Sequence, residues 1–204
     1  GLGDVYKRQG LSERVTQGIS EYKFGEVASD LHTFFWNEFC DWYIEFSKAS
    51  LREGADPVAR LQTQRNLVFV LDSALRLLHP AMPFVTEALW EQLPHAEGEN
   101  AEALMVATWP EPETLARFKN AEAERAIELV CGVVSAVRST RARYGISPKQ
   151  ELAITLKAPA EVVSTINEQQ DLIVSLARVS VAGVSAEAEK PAASNACLLY
   201  TSDA

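Results

Sequence analysis

No stretch of the 204-residue chain approaches the ~18 consecutive apolar residues that a membrane helix needs. The first residues also lack the basic, apolar and cleavage regions of a signal peptide. Both absences point to a protein of the cytoplasm with no membrane partner. Cysteine is scarce: Cys40, Cys131 and Cys197 are odd in number and far apart, with no C-x-x-C pair to signal a disulfide framework or a zinc site. Histidine is as thin, with His32, His79 and His95 falling in separate segments. The sequence contains no G-x-x-x-x-G-K-S/T phosphate loop, no G-x-G-x-x-G, no G-x-S-x-G and no H-E-x-x-H, so no catalytic residue and no metal ligand is assigned.

What is present is a globular composition, 47% hydrophobic and 23% charged, with 19 Lys+Arg against 28 Asp+Glu for a formal net charge of -9. The two ends stand apart from it. Asp4-Val5-Tyr6-Lys7-Arg8-Gln9 can be encoded by a DNA segment whose reverse complement, read one base out of frame, encodes Cys197-Leu198-Leu199-Tyr200-Thr201-Ser202. Selection on a protein does not readily produce two ends that translate opposite strands of one sequence, and the DNA resembles a library-preparation adapter. Residues 1–9 and 197–204 are therefore read as adapter-like artefacts and set aside from the fold, leaving 10–196 as an internal piece of a longer protein.

Within that piece the hydrophobic period is mostly helical. A short helix is expected over 11–22 and a long one over 25–49, whose apolar positions Phe24, Val27, Leu31, Phe34, Phe35, Trp42 and Phe46 recur at steps near three and four. Asp56 and Pro57 supply an N-cap and a first helical residue for a helix over 57–78, which Pro80 stops. Pro83 opens another, to about Leu93, and His79 is expected to cap the carbonyls at the preceding helix end. An irregular connector over 94–114 leads to a helix over 120–144, ended by Gly145 and Pro148. Alternation over 151–157 predicts a strand, a helical pattern resumes over 159–177, and 179–184 predicts a second strand. The fold class is mainly α: a helical bundle over 10–115 followed by a small α+β module over 116–196.

Between Glu128 and Glu151 there is no acidic residue, while Arg138, Arg141, Arg143 and Lys149 all fall there, beside Tyr144. Cations next to an aromatic suit RNA, with guanidinium groups on phosphates and a ring on splayed bases. The same pattern also fits a solvated helix end, where the dipole favours cations. Phe34-Phe35-Trp36-Asn37-Glu38-Phe39-Cys40-Asp41-Trp42-Tyr43 is aromatic on more than one helix face, which fits either a helix buried on several sides or a stacking platform. Trp42 and Trp90 are expected in the core.

Two stretches resemble a known family. Phe35-Trp36-Asn37-Glu38-Phe39-Cys40-Asp41-Trp42-Tyr43-Ile44-Glu45, then Leu77-Leu78-His79-Pro80-Ala81-Met82-Pro83-Phe84-Val85-Thr86-Glu87-Ala88-Leu89-Trp90, are similar to the anticodon-binding region of bacterial valyl-tRNA synthetases. Val137-Arg138-Ser139-Thr140-Arg141-Ala142-Arg143 looks like that family's basic helix end. The resemblance implies a class Ia anticodon-binding bundle, tRNA(Val) as partner and a monomer. It also implies a parent enzyme that joins valine to tRNA using ATP with Mg. The class I motifs H-x-G-H and K-M-S-K-S are absent, so the catalytic and editing domains are expected elsewhere in the parent, and this fragment is expected to hold no cofactor and to be inactive alone. The RNA-binding residues implied are Arg138, Arg141, Arg143 and Lys149, with Lys23 and Lys48 flanking the aromatic helix as weaker candidates. A helical protein-interaction module and a free-standing synthetase-derived RNA-binding protein are the alternatives.

Overall fold

A computed structural model describes residues 2–95, 102–111 and 120–188, with side chains from Gly10 onward. The chain folds as two units, Gly1–Ala121 and Glu122–Ala204.

In the first unit, α1 (Leu2–Ser20) starts before the expected 11–22 and takes in residues 2–9. Among its described side chains Leu11 and Val15 are fully buried in the core, and Ile19 packs against it. It ends in a Schellman turn: Lys23 N–H donates to the Gly18 carbonyl at 2.8 Å and Tyr22 N–H to that of Ile19 at 3.1 Å. Tyr22 fills the left-handed position at φ 59°, where glycine is usual. Gly18 is needed for a different reason, since a Cβ there would lie 2.5 Å from Val27 Cγ2 on the next helix.

A continuous helical run follows: α2 (Phe24–His32), a π-helical stretch (Thr33–Tyr43) and α3 (Ile44–Leu51). The π stretch closes bonds of five residues, as from Ile44 N–H to the Phe39 carbonyl. That wider turn changes which aromatics face inward. The buried series is Val27, Leu31, Phe34, Phe39 and Tyr43, with a step of five between Phe34 and Phe39, whereas Phe24 is 59% exposed. Trp36 is also turned outward and stacks on His32 with rings 2° from parallel, and Trp42 is half-buried against Phe46.

Helix α4 (Pro57–Leu78) has the expected bounds, with the Asp56 carboxylate accepting from Ala59 N–H at 2.8 Å. Its second half is buried on two sides. Val70, Ala74, Leu77 and Leu78 join the core built with α1, α2 and the π stretch, while Leu75 faces Trp90 and Leu104. Helix α5 (Pro83–Trp90) and a 3₁₀ turn (Leu104–Val106) complete that second cluster. His79 does not cap carbonyls as expected: its Nδ1 lies 2.8 Å from Thr86 Oγ1, because the short Pro80–Met82 link brings α5 alongside. The connector folds back on α1, with Trp109 Nε1 donating to Thr16 Oγ1 at 2.9 Å.

The second unit contains α6 (Ala121–Tyr144), β1 (Leu152–Lys157), α7 (Ala160–Glu168), α8 (Gln170–Ala177) and β2 (Val179–Ser185). The strands pair in parallel, Leu152 with Val179 through Lys157 with Ser185, and Ala182 is passed over in the register. Parallel pairing requires a long crossover, which α7 and α8 supply. The single helix expected over 159–177 is two, broken at Gln169. Val130, Val133, Val134, Ile166, Ile173, Ala177 and Val179 are the buried apolar residues of this module.

Candidate nucleic-acid interface

Helix α6 ends in a second Schellman turn. Ile146 N–H donates to the Arg141 carbonyl at 2.9 Å, Gly145 N–H reaches that of Ala142 at 3.4 Å, and Gly145 takes φ +62°. The turn presents the end of the helix with Arg138, Arg143 and Tyr144 exposed, and Lys149 exposed on the segment that follows. No acidic residue falls between Glu128 and Glu151, the stretch that carries these cations. Arg138 and Arg143 lie about 140° apart around an ideal helix, so they stand at the two edges of a broad arc and do not form one narrow stripe.

Arg141 does not belong with them. It sits eleven residues after Val130, close to three full turns, and therefore on the helix's buried stripe. Only 6% exposed, its guanidinium donates to the carbonyls of Ser147 at 2.9 Å, Arg178 at 2.9 Å and Ala177 at 3.4 Å. The last two are orphan carbonyls at the end of α8, where Arg178 turns the chain into β2 at φ 53°. A cation over a helix C-terminus also meets the negative end of its dipole. This burial counts against the expected RNA contact of Arg141, since its two Nη groups bond backbone carbonyls inside the module. The sequence signal for this was its place at the end of the apolar stripe.

Lys23 and Lys48 are exposed and each is paired with a carboxylate. Lys23 Nζ lies 2.7 Å from Glu21, and Lys48 Nζ pairs with Glu45 one turn earlier. The Glu21 bond is the main cause of an upward shift in the Lys23 pKa and a downward shift in that of Glu21. Both charges are retained across the physiological range, and a phosphate approaching Lys23 has to displace or share with Glu21. Arg178, exposed at the end of α8, is a further cation that sequence reading did not single out. Among the described residues no group of three or more His, Cys, Asp or Glu could hold a metal ion, and no helix is long and apolar enough to cross a membrane.

Residues 5–156 match the model of the anticodon-binding domain of tRNA ligase. The chain is similar to the valine--tRNA ligase of Geobacillus kaustophilus, 43% identical over 153 residues that make up 74% of this chain and 16% of that protein. It is 35% identical over 190 residues to the Geobacter sulfurreducens enzyme of the same name, covering 92% of this chain and 21% of the relative. The chloroplastic/mitochondrial valine--tRNA ligase 2 of Arabidopsis thaliana matches at 35% over 180 residues, 88% of this chain and 18% of its own length. The chain thus spans about a sixth to a fifth of these relatives. With a match across most of its length and the bundle that match implies, the chain belongs to the anticodon-binding domain family of tRNA ligases.

Proposed function

We propose that this chain is the tRNA-gripping part of a valine–tRNA ligase, whose complete form joins valine to tRNA(Val) in the cytoplasm using ATP with Mg. The observation that carries the reading is the end of α6, where Arg138, Arg143, Tyr144 and Lys149 are exposed on a stretch without acidic residues in a chain of net charge -9. Local cations govern affinity for a polyanion more than net charge does, since each phosphate neutralised releases counterions. Arg138, Arg143 and Lys149 take phosphates, and the Tyr144 ring, 50% exposed, offers a stacking face for an unpaired base. Arg141 enters as a positioning residue that holds the helix end against α8. Lys23 and Lys48 enter as secondary contacts, each at the cost of exchanging a carboxylate.

On this reading the chain works as a single copy, carries no ATP site and does not catalyse alone, because the motifs that bind ATP in class I synthetases are absent from its sequence. The test is filter binding of the chain to valine tRNA and to a tRNA for another amino acid over a range of salt, with valine-dependent ATP–pyrophosphate exchange measured on the same preparation. The expected result is preferential retention of valine tRNA, weakening as salt rises, and no exchange. An affinity indifferent to salt, or any exchange, would count against the proposal.

A further inference from the structure

Helix α5 is apolar on both sides. Thr86 and Trp90 are buried, 1% and 2% exposed, yet the opposite arc carries Phe84 at 91%, Val85 at 50% and Leu89 at 47% exposure. These three span about 140° of an ideal helix, so they share one outward face. The 3₁₀ turn packed beside α5 repeats the pattern: Leu104 is buried in the cluster with Trp90, while Met105 is 75% and Val106 is 70% exposed. Glu87 fixes the two elements together, accepting Leu104 N–H at 2.6 Å and Met105 N–H at 3.4 Å on its two carboxylate oxygens. The apolar groups are therefore held on a rigid support. A helix that is apolar all round is ordinarily covered on all sides, and grouped exposed apolar residues of this kind mark an interaction surface.

Charge decides between classes of occupant. From Leu77 to Ala116 the sequence has no Lys or Arg, while Glu87, Glu91, Glu102 and Glu111 fall within it. Such a surface repels nucleic acid and anionic lipid, both of which are drawn by cations. It suits an apolar protein surface. Roughly four-fifths of the length of each matched relative lies outside the stretch that this chain covers, so a large protein partner on the same polypeptide is at hand.

We infer that the outward face of α5 with Met105 and Val106 is the seat on which the remainder of the synthetase chain packs, so that this face is buried in the complete enzyme. The inference rests on the function proposed above. It is tested without RNA, so that the two can fail separately. The probe is the Geobacillus kaustophilus enzyme with its matching stretch replaced by this chain's, compared with the 204-residue chain alone by hydrogen exchange over 82–90 and 102–107. The amides there should exchange at least tenfold more slowly in the chimaera, and Phe84→Ser should remove most of that difference while leaving the melting temperature of the isolated chain unchanged. Slow exchange over 70–78 reports that the bundle is folded in both. Equal rates in the two forms would overturn the inference, as would a chimaera that loses the slow core, because the stretch would then not seat on the rest of the enzyme. Slowing that appears only when the isolated chain is concentrated would assign the face to a second copy, and slowing only on adding tRNA would assign it to RNA. Either of these also overturns it.

Discussion

The guanidinium of Arg141 donates to the backbone carbonyl of Arg178 at 2.9 Å, joining the end of α6 to the end of α8 across 37 residues of sequence. Charge-assisted bonds of this kind contribute more than neutral ones, and their loss strands carbonyls that the guanidinium was serving.

Arg141→Ala should therefore destabilise the second unit by about 1.5–3 kcal/mol, the range for hydrogen bonds to a charged group. Arg141→Lys should recover only part of this, because an ammonium lacks the planar fork that reaches the Ser147 and Arg178 carbonyls together. Thermal melts of the three proteins decide it. A lysine variant as stable as the arginine protein would contradict the anchoring role.

In the first unit Asp72 is the hub of a partly buried network. Its carboxylate accepts from Trp90 Nε1 at 2.7 Å and from Arg76 Nε at 2.8 Å, while Arg76 also reaches the Thr108 carbonyl at 2.9 Å. Asp72→Ala leaves the indole N–H and the guanidinium without their shared acceptor, and should cost about 3 kcal/mol in chemical denaturation. Asp72→Asn keeps one acceptor oxygen and should cost less. Equal stability of all three proteins would show that the network contributes nothing net.

Residues 2–9 lie at the start of α1, yet the α1 side chains of the described core begin at Leu11. Removing residues 1–9 should leave the melting temperature within error, since the core contacts of Leu11 and Val15 remain. A clear fall would show that these residues belong to the fold and that the adapter-like reading of them is wrong. Residues 197–204 lie outside the described residues.

Much of the helical layout was legible because its boundaries are written in strong local chemistry. Asp56-Pro57 starts α4 and Pro80 stops the chain from continuing it, whatever the tertiary context. The inward set of the aromatic run was not, because periodicity reasoning assumes 3.6 residues per turn and the π stretch takes a step of five from Phe34 to Phe39. The basic site was half legible. A stretch with four cations and no acid is visible in the sequence, but composition cannot tell a solvated arginine from one turned inward to cap another helix. Arg141's partners at Ala177 and Arg178 are brought to it only by the β1–α7–α8–β2 crossover. The outward apolar face of α5 was hidden for the opposite reason: Phe84, Val85 and Leu89 look like core residues until their solvent exposure is known.

On the proposed function, exposed cations at the end of α6 hold RNA while Arg141 holds the fold, and the salt dependence of valine tRNA binding separates these two roles. With Arg138, Arg143 and Lys149 each neutralising a phosphate, log affinity should fall with log salt at a slope of roughly -2 to -3. Changing all three to Gln should remove most of that slope, leaving the part that Lys23 and Lys48 contribute. Arg141→Lys, assayed well below its melting point, should leave the slope where it was. A triple variant that binds with an unchanged slope, or an Arg141→Lys protein that loses as much of it as the triple variant does, would contradict the account.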